Sequence, residues 1–304
     1  MSRRYLLFVS VLVAISSYVP AQNQPPSDPT ALSLAAQSVT AMAGSNTVSD
    51  VTASGIIDTW MVGSTADSGT VTLKVKGYGE SRIDMQLVAN GALSEIRDAS
   101  TGIPQGEWIN TGTGTIYSQQ LCATDAAWFY PLNSAMAVAP SDGIVLSYVG
   151  LETFAGSQVQ HIQSYNYQPG LDSGSQAQLQ LVSTVDYYLD ATSFLPVAED
   201  FNLFADNNTA IPVQVLFLNY LTVGGVASPQ HIQKLVNGTL QFDATVTSVS
   251  LNAGIPLSTF TIPQVSCGLI SAANAGIGGP LLASQRTRGK ACHERKRSQL
   301  SRRI

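Results

Sequence analysis

The residues best suited to acid–base chemistry in this 304-residue sequence are its three histidines. His161 and His231 each stand in the tetrapeptide QHIQ, and His293 lies near the C-terminus. A histidine can act as a general base where a carboxylate or hydroxyl lies within about 3 Å of it in a cleft. His161 and His231 both fall in alternating, strand-like patterns. That placement indicates solvated strand residues or, alternatively, polar groups at the mouth of a ligand groove.

No familiar catalytic motif accompanies these histidines. The sequence contains no HExxH, paired CxxC, GxSxG or phosphate-binding loop, the motifs that point to metal, nucleophilic or phosphate chemistry. Glu199 and Asp200 are adjacent, so in a strand they face opposite sides of the sheet and form no local acid/base pair. We therefore predict that the protein is not an enzyme, with no catalytic residue, no metal ligand and no cofactor. A secreted hydrolase built from scattered residues is the least favoured alternative.

The N-terminus has the pattern of a secretory signal peptide. Arg3 and Arg4 precede an apolar stretch from Leu6 to Ile15, and small residues follow at Val19-Pro20-Ala21. This order predicts a signal peptide over residues 1–21 and a periplasmic or secreted protein. The apolar stretch is shorter than the roughly 20 residues that span a bilayer, and no later stretch reaches that length. We therefore predict a chain that does not span the membrane.

Export permits disulfide bonds, and the sequence has three cysteines: Cys122, Cys267 and Cys292. An odd number leaves at least one thiol unpaired within a monomer. The sequence leaves two arrangements open. Either Cys122 and Cys267 are bridged and Cys292 is free, or the thiols are unpaired.

Charge is unevenly distributed along the chain. Residues 22–285 contain five basic and nineteen acidic side chains, whereas eight basic residues and one acid follow position 285. An acidic body argues against nucleic acid as a partner. We predict a domain over residues 22–267 and a basic, disordered tail over 268–304. Binding of nucleic acid or anionic lipid by the tail is the alternative.

Hydrophobic periodicity predicts one N-terminal helix and a long series of strands. The helix runs over Ala31–Ala43, with Asp28 or Thr30 as its cap and Gly44 as its stop. Strands follow where the apolar period is two, and Asn90-Gly91 is typical of a two-residue hairpin turn. The predicted strands lie near 50–61, 68–79, 80–90, 92–98, 144–150, 157–167, 177–189, 195–204, 211–222, 229–237 and 240–251.

Residues 122–138 interrupt the strand pattern. Thr124 or Asp125 would cap a helix there, and Pro131 should end or kink it. The neighbouring aromatic cluster Trp128-Phe129-Tyr130 indicates either a plug in the core or a lid over a cavity. In the strand predicted at 211–222, apolar side chains occur on both faces. A strand of that kind is covered on both sides, so we expect a curved sheet with one face on the helices and the other lining a groove.

The second half of the chain carries a distinctive series of strand-corner residues. A strand ends in Asp before Leu-Pro, another ends in Tyr before Val-Gly-Gly-Val and Pro, and a last one ends in Asn before Phe-x-x-Pro. The residues are Asp190, Leu195, Pro196, Tyr220, Val223, Gly224, Val226, Pro229, Gly238, Asn252, Phe260 and Pro263. In this pattern, over about residues 30–263, the chain resembles the outer-membrane lipoprotein-sorting family, the LolA-like proteins. Asp190 itself is expected to set a turn rather than pair with a base.

This resemblance implies a mainly β (α+β) fold, in which a curved antiparallel half-barrel sheet wraps around a few helices. It also implies a periplasmic lipid- or lipoprotein-binding carrier with an apolar cavity, whose partner is a lipid or an acylated protein. Family carriers use an early-strand arginine that contacts the helices, for which Arg82 and Arg97 are the candidates. The alternative function is an envelope sensor or structural protein that binds a protein partner. The expected ligand-binding residues are Leu87, Trp128, Phe129, Val185, Phe217 and Tyr220.

Overall fold

The computed structural model describes residues 24–62, 64–100, 105–116, 127–204 and 209–262. The predicted signal peptide, the three cysteines, Pro263 and the basic tail lie outside the described residues. Those assignments therefore stay predictions.

Thirteen strands form one sheet in the described part of the chain. They are β1 (Asp50–Val62), β2 (Thr65–Lys76), β3 (Glu80–Leu87), β4 (Gly91–Asp98), β5 (Gln105–Asn110), β6 (Thr113–Ile116), β7 (Ile144–Phe154), β8 (Ser157–Asn166), β9 (Val185–Asp190), β10 (Pro196–Phe204), β11 (Ala210–Val223), β12 (Val226–Val236) and β13 (Thr239–Leu251).

The sheet is antiparallel and open. Its strand order is β6-β5-β4-β3-β2-β1-β13-β12-β11-β10-β9-β8-β7. Two meanders, β1 to β6 and β7 to β13, are thus joined by pairing of the first strand with the last. This curved sheet, with three helices beside it, confirms the half-barrel fold class that the sequence pattern and the family resemblance predict.

Helix α1 (Pro29–Ala43) forms where the sequence predicts it. The Asp28 carboxylate accepts hydrogen bonds from the backbone N–H groups of Thr30 and Ala31, at 2.7 and 3.2 Å. Gly44 ends the helix with a positive φ of 58°, a conformation that glycine adopts without strain. The helix contacts β7, β8 and β12, so it lies on one face of the sheet, the inner face.

One strand prediction and one helix prediction need correction. Residues 173–183 form helix α3 (Ser173–Ser183) rather than the start of a strand. Asp172 caps it by accepting from the N–H groups of Gly174 and Ser175, and Leu179 and Leu181 only imitate a two-residue period. Helix α2 (Pro131–Val138) begins at Pro131, which the sequence analysis expected to end or kink a helix. Proline fits the first helical turn because the N–H it lacks would have no partner there.

Close approach of neighbouring strands requires glycine at two places near the bend of the sheet. A Cβ atom on Gly55 would lie 2.1 Å from the carbonyl oxygen of Thr245, and one on Gly69 would lie 2.0 Å from that of Gln86. The register between β1 and β13 also shifts next to Gly55. Such irregularities increase local twist and bend a strand, which allows the sheet to curve.

The inner face of the sheet carries the hydrophobic core. In β11, Val213, Val215 and Phe217 are buried, whereas Leu216 and Leu218 on the outer face are only partly buried. The expectation that both faces of this strand are covered is therefore wrong. The apolar face packs on the helices, and the other face remains partly exposed to solvent.

The turn after β9 has the predicted construction. The Asp190 carboxylate accepts hydrogen bonds from the N–H groups of Thr192 and Ser193 and from the Ser193 hydroxyl. The N–H of Ser193 contributes most to lowering the pKa of Asp190. Pro196 then begins β10. Asp190 is thus a turn residue, because its acceptor oxygen is engaged within its own loop.

Candidate functional site

The six residues expected to bind a ligand lie together in the core. Leu87, Trp128, Phe129, Val185 and Phe217 are between 1% and 4% exposed. Tyr220 is partly buried against the same cluster, and its hydroxyl donates to the carbonyl oxygen of Pro196 at 2.8 Å. The structure therefore brings the expected residues together, as a packed apolar interior on the inner face.

Two shallow concavities on the described surface are separate from these residues. One, of about 450 Å³, lies between α1 and Phe194. The other, of about 400 Å³, lies beside the turn at Gly77 and Tyr78 and is also lined by Leu257. None of the six expected residues lines either concavity. Ligand binding on the inner face therefore requires that some element move away from it.

The segment best placed to move is the aromatic cluster and the helix that follows it. Residues 127–138, which we call the plug, place Trp128, Phe129 and Tyr130 against the inner face, each at most 2% exposed. Two polar contacts from the plug to the sheet region are direct hydrogen bonds. Tyr130 Oη lies 2.6 Å from Ser228 Oγ, and Asn133 donates to the Gly77 carbonyl oxygen at 2.7 Å.

All three tryptophans of the chain meet at one end of this interior. Trp60 and Trp108 stack with their ring centroids 5.5 Å apart. Phe242 joins them to the plug, because its ring contacts Trp60 at 6.1 Å and Trp128 at 5.4 Å in edge-to-face geometry. Aromatic pairs of this kind add stability beyond the area that they bury.

A cationic group lies within this aromatic cluster. The Lys234 ammonium lies 4.1 Å from the centroid of the Trp128 ring, a cation–π distance. Burial lowers the pKa of Lys234 to about 8, although the charge of Glu95 opposes that shift. Glu95 is itself bonded to Arg97, with Arg97 Nε 3.0 Å from Glu95 Oε1 and both side chains largely buried.

Arg82 and Arg97, the two candidates for the family's early-strand arginine, lie on opposite faces of the sheet. Arg97 lies on the inner side of β4, close enough to influence the charge on Lys234. Arg82 donates to Asp84 and to the carbonyl oxygen of Thr259, in the C-terminal segment that contacts β3 and β4. Only Arg97 therefore occupies a position on the side of the helices.

The two strand histidines lie on the outer face and are bonded to carboxylates. His161 Nε2 lies 2.8 Å from Asp186 Oδ1, and His161 Nδ1 lies 2.8 Å from Glu152 Oε1. Burial disfavours the charged imidazole, but the bond to Asp186 and the two carboxylate charges outweigh burial and raise the pKa of His161. His231 is bonded to Asp243 in the same way.

This arrangement meets only half of what a hydrolase would need. A carboxylate lies within 3 Å of each histidine, but neither histidine lines either of the two concavities. Within the described residues, no group of three or more histidine, cysteine or acidic side chains is placed to hold a metal ion. The geometry is that of strand-to-strand hydrogen bonding, in which each histidine links two neighbouring strands.

Comparison with solved structures finds proteins of similar fold at low identity. A domain classed with outer membrane lipoprotein-sorting proteins, from Vibrio parahaemolyticus, is 11% identical with a TM-score of 0.49 over 76% of this chain and 96% of that one. A DUF1329 family protein from Desulfovibrio piger is 10% identical with a TM-score of 0.49 over the same shares. A LolA superfamily protein from Nitrosomonas europaea is 12% identical with a TM-score of 0.42, over 76% of this chain and 97% of that one.

Neither a family model nor a curated protein matches the chain. At these identities and TM-scores, the likeness to the solved structures concerns the fold alone and carries no inference about what this chain binds or does. No helix in the described ranges is long and apolar enough to cross a membrane. Inferences about function therefore rest on the side chains of this protein.

Sequence reasoning missed the residues that surround Trp128. Lys234, Trp60, Trp108 and Phe242 were not among the expected site residues, whereas Arg97 was one of the two candidate arginines. One signal was present in the sequence. Lys234 lies two residues from Ile232 and two from Val236, so in a strand the lysine shares a face with these apolar neighbours. Strands β1 and β5 and the plug meet at one end of the sheet because of the strand order. No local sequence pattern could have predicted this contact.

Proposed function

We propose that this protein binds the acyl chain of a lipid or acylated protein on the inner face of its half-barrel. In this proposal the protein is a carrier, and the predicted signal peptide places it in the periplasm or outside the cell. Leu87, Val185, Phe217 and Tyr220 contact the chain. Phe129 leaves the face as the chain enters, and the Trp128 ring moves off Lys234 but stays beside the ligand.

The observation that carries the proposal is that the inner face is covered by the aromatic side chains of the plug. The plug buries three large aromatic side chains there, and its hydrogen bonds to the sheet region include the Tyr130–Ser228 and Asn133–Gly77 contacts. A chain that replaced the plug would exchange one apolar contact for another. Each buried methylene contributes about 0.8 kcal/mol, so an acyl chain can offset part of the free energy that is lost with the plug's aromatic contacts and hydrogen bonds.

Native mass spectrometry of the exported full-length chain tests this proposal. We expect a bound acyl lipid that is released on denaturation, or that is taken up on incubation with membrane lipids. A protein that remains free of lipid under both conditions would contradict the carrier function.

Two neighbouring substitutions locate the binding surface. Phe217→Ser changes the buried inner face, and Leu218→Ser changes the adjacent outer position in the same strand. We expect the first to reduce lipid occupancy at least fivefold and the second to leave it unchanged, with far-UV circular dichroism as the check on folding. If Phe217→Ser does not fold, Tyr130→Phe provides a milder test. It removes one bond of the plug and should accelerate lipid exchange.

A protein partner is the second candidate, and one edge of the sheet favours it. Within the described sheet β7 is an edge strand, and its Val149 and Leu151 side chains are 54% and 56% exposed. An extended segment of a partner can add a strand to such an edge. Pull-down from envelope extract with the wild-type chain and with Val149→Lys separates this candidate from the first, because only partner binding at the edge should be lost in the variant.

A further inference from the structure

Lys234 differs from the other cations of the acidic body. Of the five basic residues between 22 and 285, Lys74, Lys76 and Arg82 each lie within 4.0 Å of an aspartate, and Arg97 is bonded to Glu95. Among the described residues, the Lys234 ammonium has an aromatic ring as its neighbour and no hydrogen-bond acceptor. Lys234 is only partly buried, so its ammonium keeps some access to water while it lies over the Trp128 ring.

A second donor without an acceptor lies beside it. The indole Nε1–H of Trp128 is buried and has no hydrogen-bond partner within the described part of the chain. Both groups can only donate. The side chain whose ring lies over the Lys234 ammonium therefore also carries a buried donor that lacks an acceptor, and this Trp128 side chain belongs to the plug.

The charges around Lys234 also restrict the kind of ligand that would fit there. Glu95 is bonded to Arg97, and Lys234 adds a further positive charge close to this pair. The stacked pair Trp60–Trp108, which contacts Phe242, forms an apolar wall next to it. A complementary group would carry a single negative charge on acceptor oxygens and would be joined to an apolar chain.

We propose that Lys234 and the Trp128 indole N–H bind the singly charged oxyanion headgroup of an acyl-chain amphiphile, such as the carboxylate of a fatty acid. This inference rests on the proposed function, because the chain of the same molecule occupies the inner face. The headgroup replaces the Trp128 ring as the neighbour of the Lys234 ammonium, and the two donors gain acceptors only when a ligand is bound.

Intrinsic fluorescence provides a direct readout of this site. The exported full-length chain contains only the three tryptophans that meet at this place. Titration uses three probes: palmitate, which has chain and charge, methyl palmitate, which has the chain alone, and acetate, which has the charge alone. We expect palmitate to bind at least tenfold more tightly than methyl palmitate, and acetate to give no response.

Substitutions at Lys234 then assign the headgroup contact. Lys234→Met should weaken palmitate binding at least tenfold and leave methyl palmitate binding unchanged, whereas Lys234→Arg should restore the preference for palmitate. Lys74→Met, which removes an outer-face ammonium, is the matched control and should change neither.

The outcomes separate the two proposals. Palmitate binding that is equal in Lys234→Met and in the wild type, with methyl palmitate also bound, overturns the headgroup assignment and leaves the carrier function standing. Binding of acetate as tight as that of palmitate also overturns the assignment, because the ligand would then be a free anion. If neither amphiphile binds, the carrier function and the headgroup assignment both fail.

Discussion

The inner and outer faces of this one sheet differ in how some of their polar side chains are paired. On the outer face, His161, His231 and Lys74 are all bonded to aspartates on neighbouring strands. On the inner face, the indole N–H of Trp128 is buried without an acceptor among the described residues, and the ammonium of the partly buried Lys234 lies over the Trp128 ring. Polar groups that satisfy one another stabilise a structure, whereas buried donors without acceptors are destabilising. The contrast points to a structural role for the first set and a ligand role for the second.

The outer-face pattern occurs twice with the same construction. In each QHIQ tetrapeptide, the histidine and the glutamine two residues later bond to one aspartate on the next strand: His161 and Gln163 to Asp186, and His231 and Gln233 to Asp243. Side chains two apart in a strand lie on the same face, so this spacing suits a shared acceptor. The repetition supports a structural role in fixing the pairing of β8 with β9 and of β12 with β13.

Truncation on the two faces should give the largest difference. Phe217→Ala removes a ring that is 2% exposed and should lower the free energy of unfolding by about 3–5 kcal/mol, as is typical for buried phenylalanine. Leu221→Ala, in the same strand but 59% exposed, should change it by less than about 0.5 kcal/mol. Urea denaturation of both variants measures the difference, and equal losses would mean that the inner face is not the core.

Replacing Lys234 and replacing Lys74 should change the free energy of unfolding in opposite directions. Lys234→Met should raise the free energy of unfolding by about 1–2 kcal/mol, because relief of a pKa shift of this size outweighs the lost cation–π contact. Lys74→Met breaks a partly exposed pair with Asp84 and should lower it by less than about 1 kcal/mol.

The gain in Lys234→Met should depend on pH. The pKa of Lys234 is lowered from 10.5 to about 8 on folding, so its protonated form penalises the folded state. The penalty is complete below pH 8 and disappears as pH rises toward 10.5. Denaturation at pH 7 and at pH 10 measures this, and a gain that does not shrink at the higher pH would contradict the assignment.

The smallest effect should come from His161. Its pKa is raised above 6.5 by Asp186 and Glu152 against the effect of burial, so its bonds stabilise the fold fully below pH 6.5. That stability is lost as pH rises through the folded pKa. The stability advantage of the wild type over His161→Gln should therefore be larger at pH 5.5 than at pH 8.5. An advantage that is independent of pH would show that the imidazolium charge contributes nothing.

Local sequence features predict much of this fold because the relevant interactions are local. The cap at Asp28, the stop at Gly44 and the turn at Asp190 use bonds within a few residues. Helix α3 escaped prediction because the short alternation of Leu179 and Leu181 concealed the capping signal at Asp172. Propensity and capping prevailed there over a weak apolar pattern.

The candidate site was predictable only in part. Apolar alternation identified Leu87, Val185 and Phe217 as inner-face residues, and the run of three aromatics drew attention to Trp128. The contact of Lys234 with Trp128 joins positions more than 100 residues apart in sequence. It depends on where the plug lies against β12, which no local pattern determines.

A crystal structure of the exported full-length chain with palmitate tests the contrast between the two faces most directly. The account predicts a carboxylate oxygen within hydrogen-bond distance of Lys234 Nζ, the Trp128 ring displaced from its position 4.1 Å away, and the acyl chain on the inner face beside Phe217. The bonds of His161 and His231 on the outer face should be unchanged. Palmitate bound outside the half-barrel, with Trp128 still covering Lys234, would contradict the account.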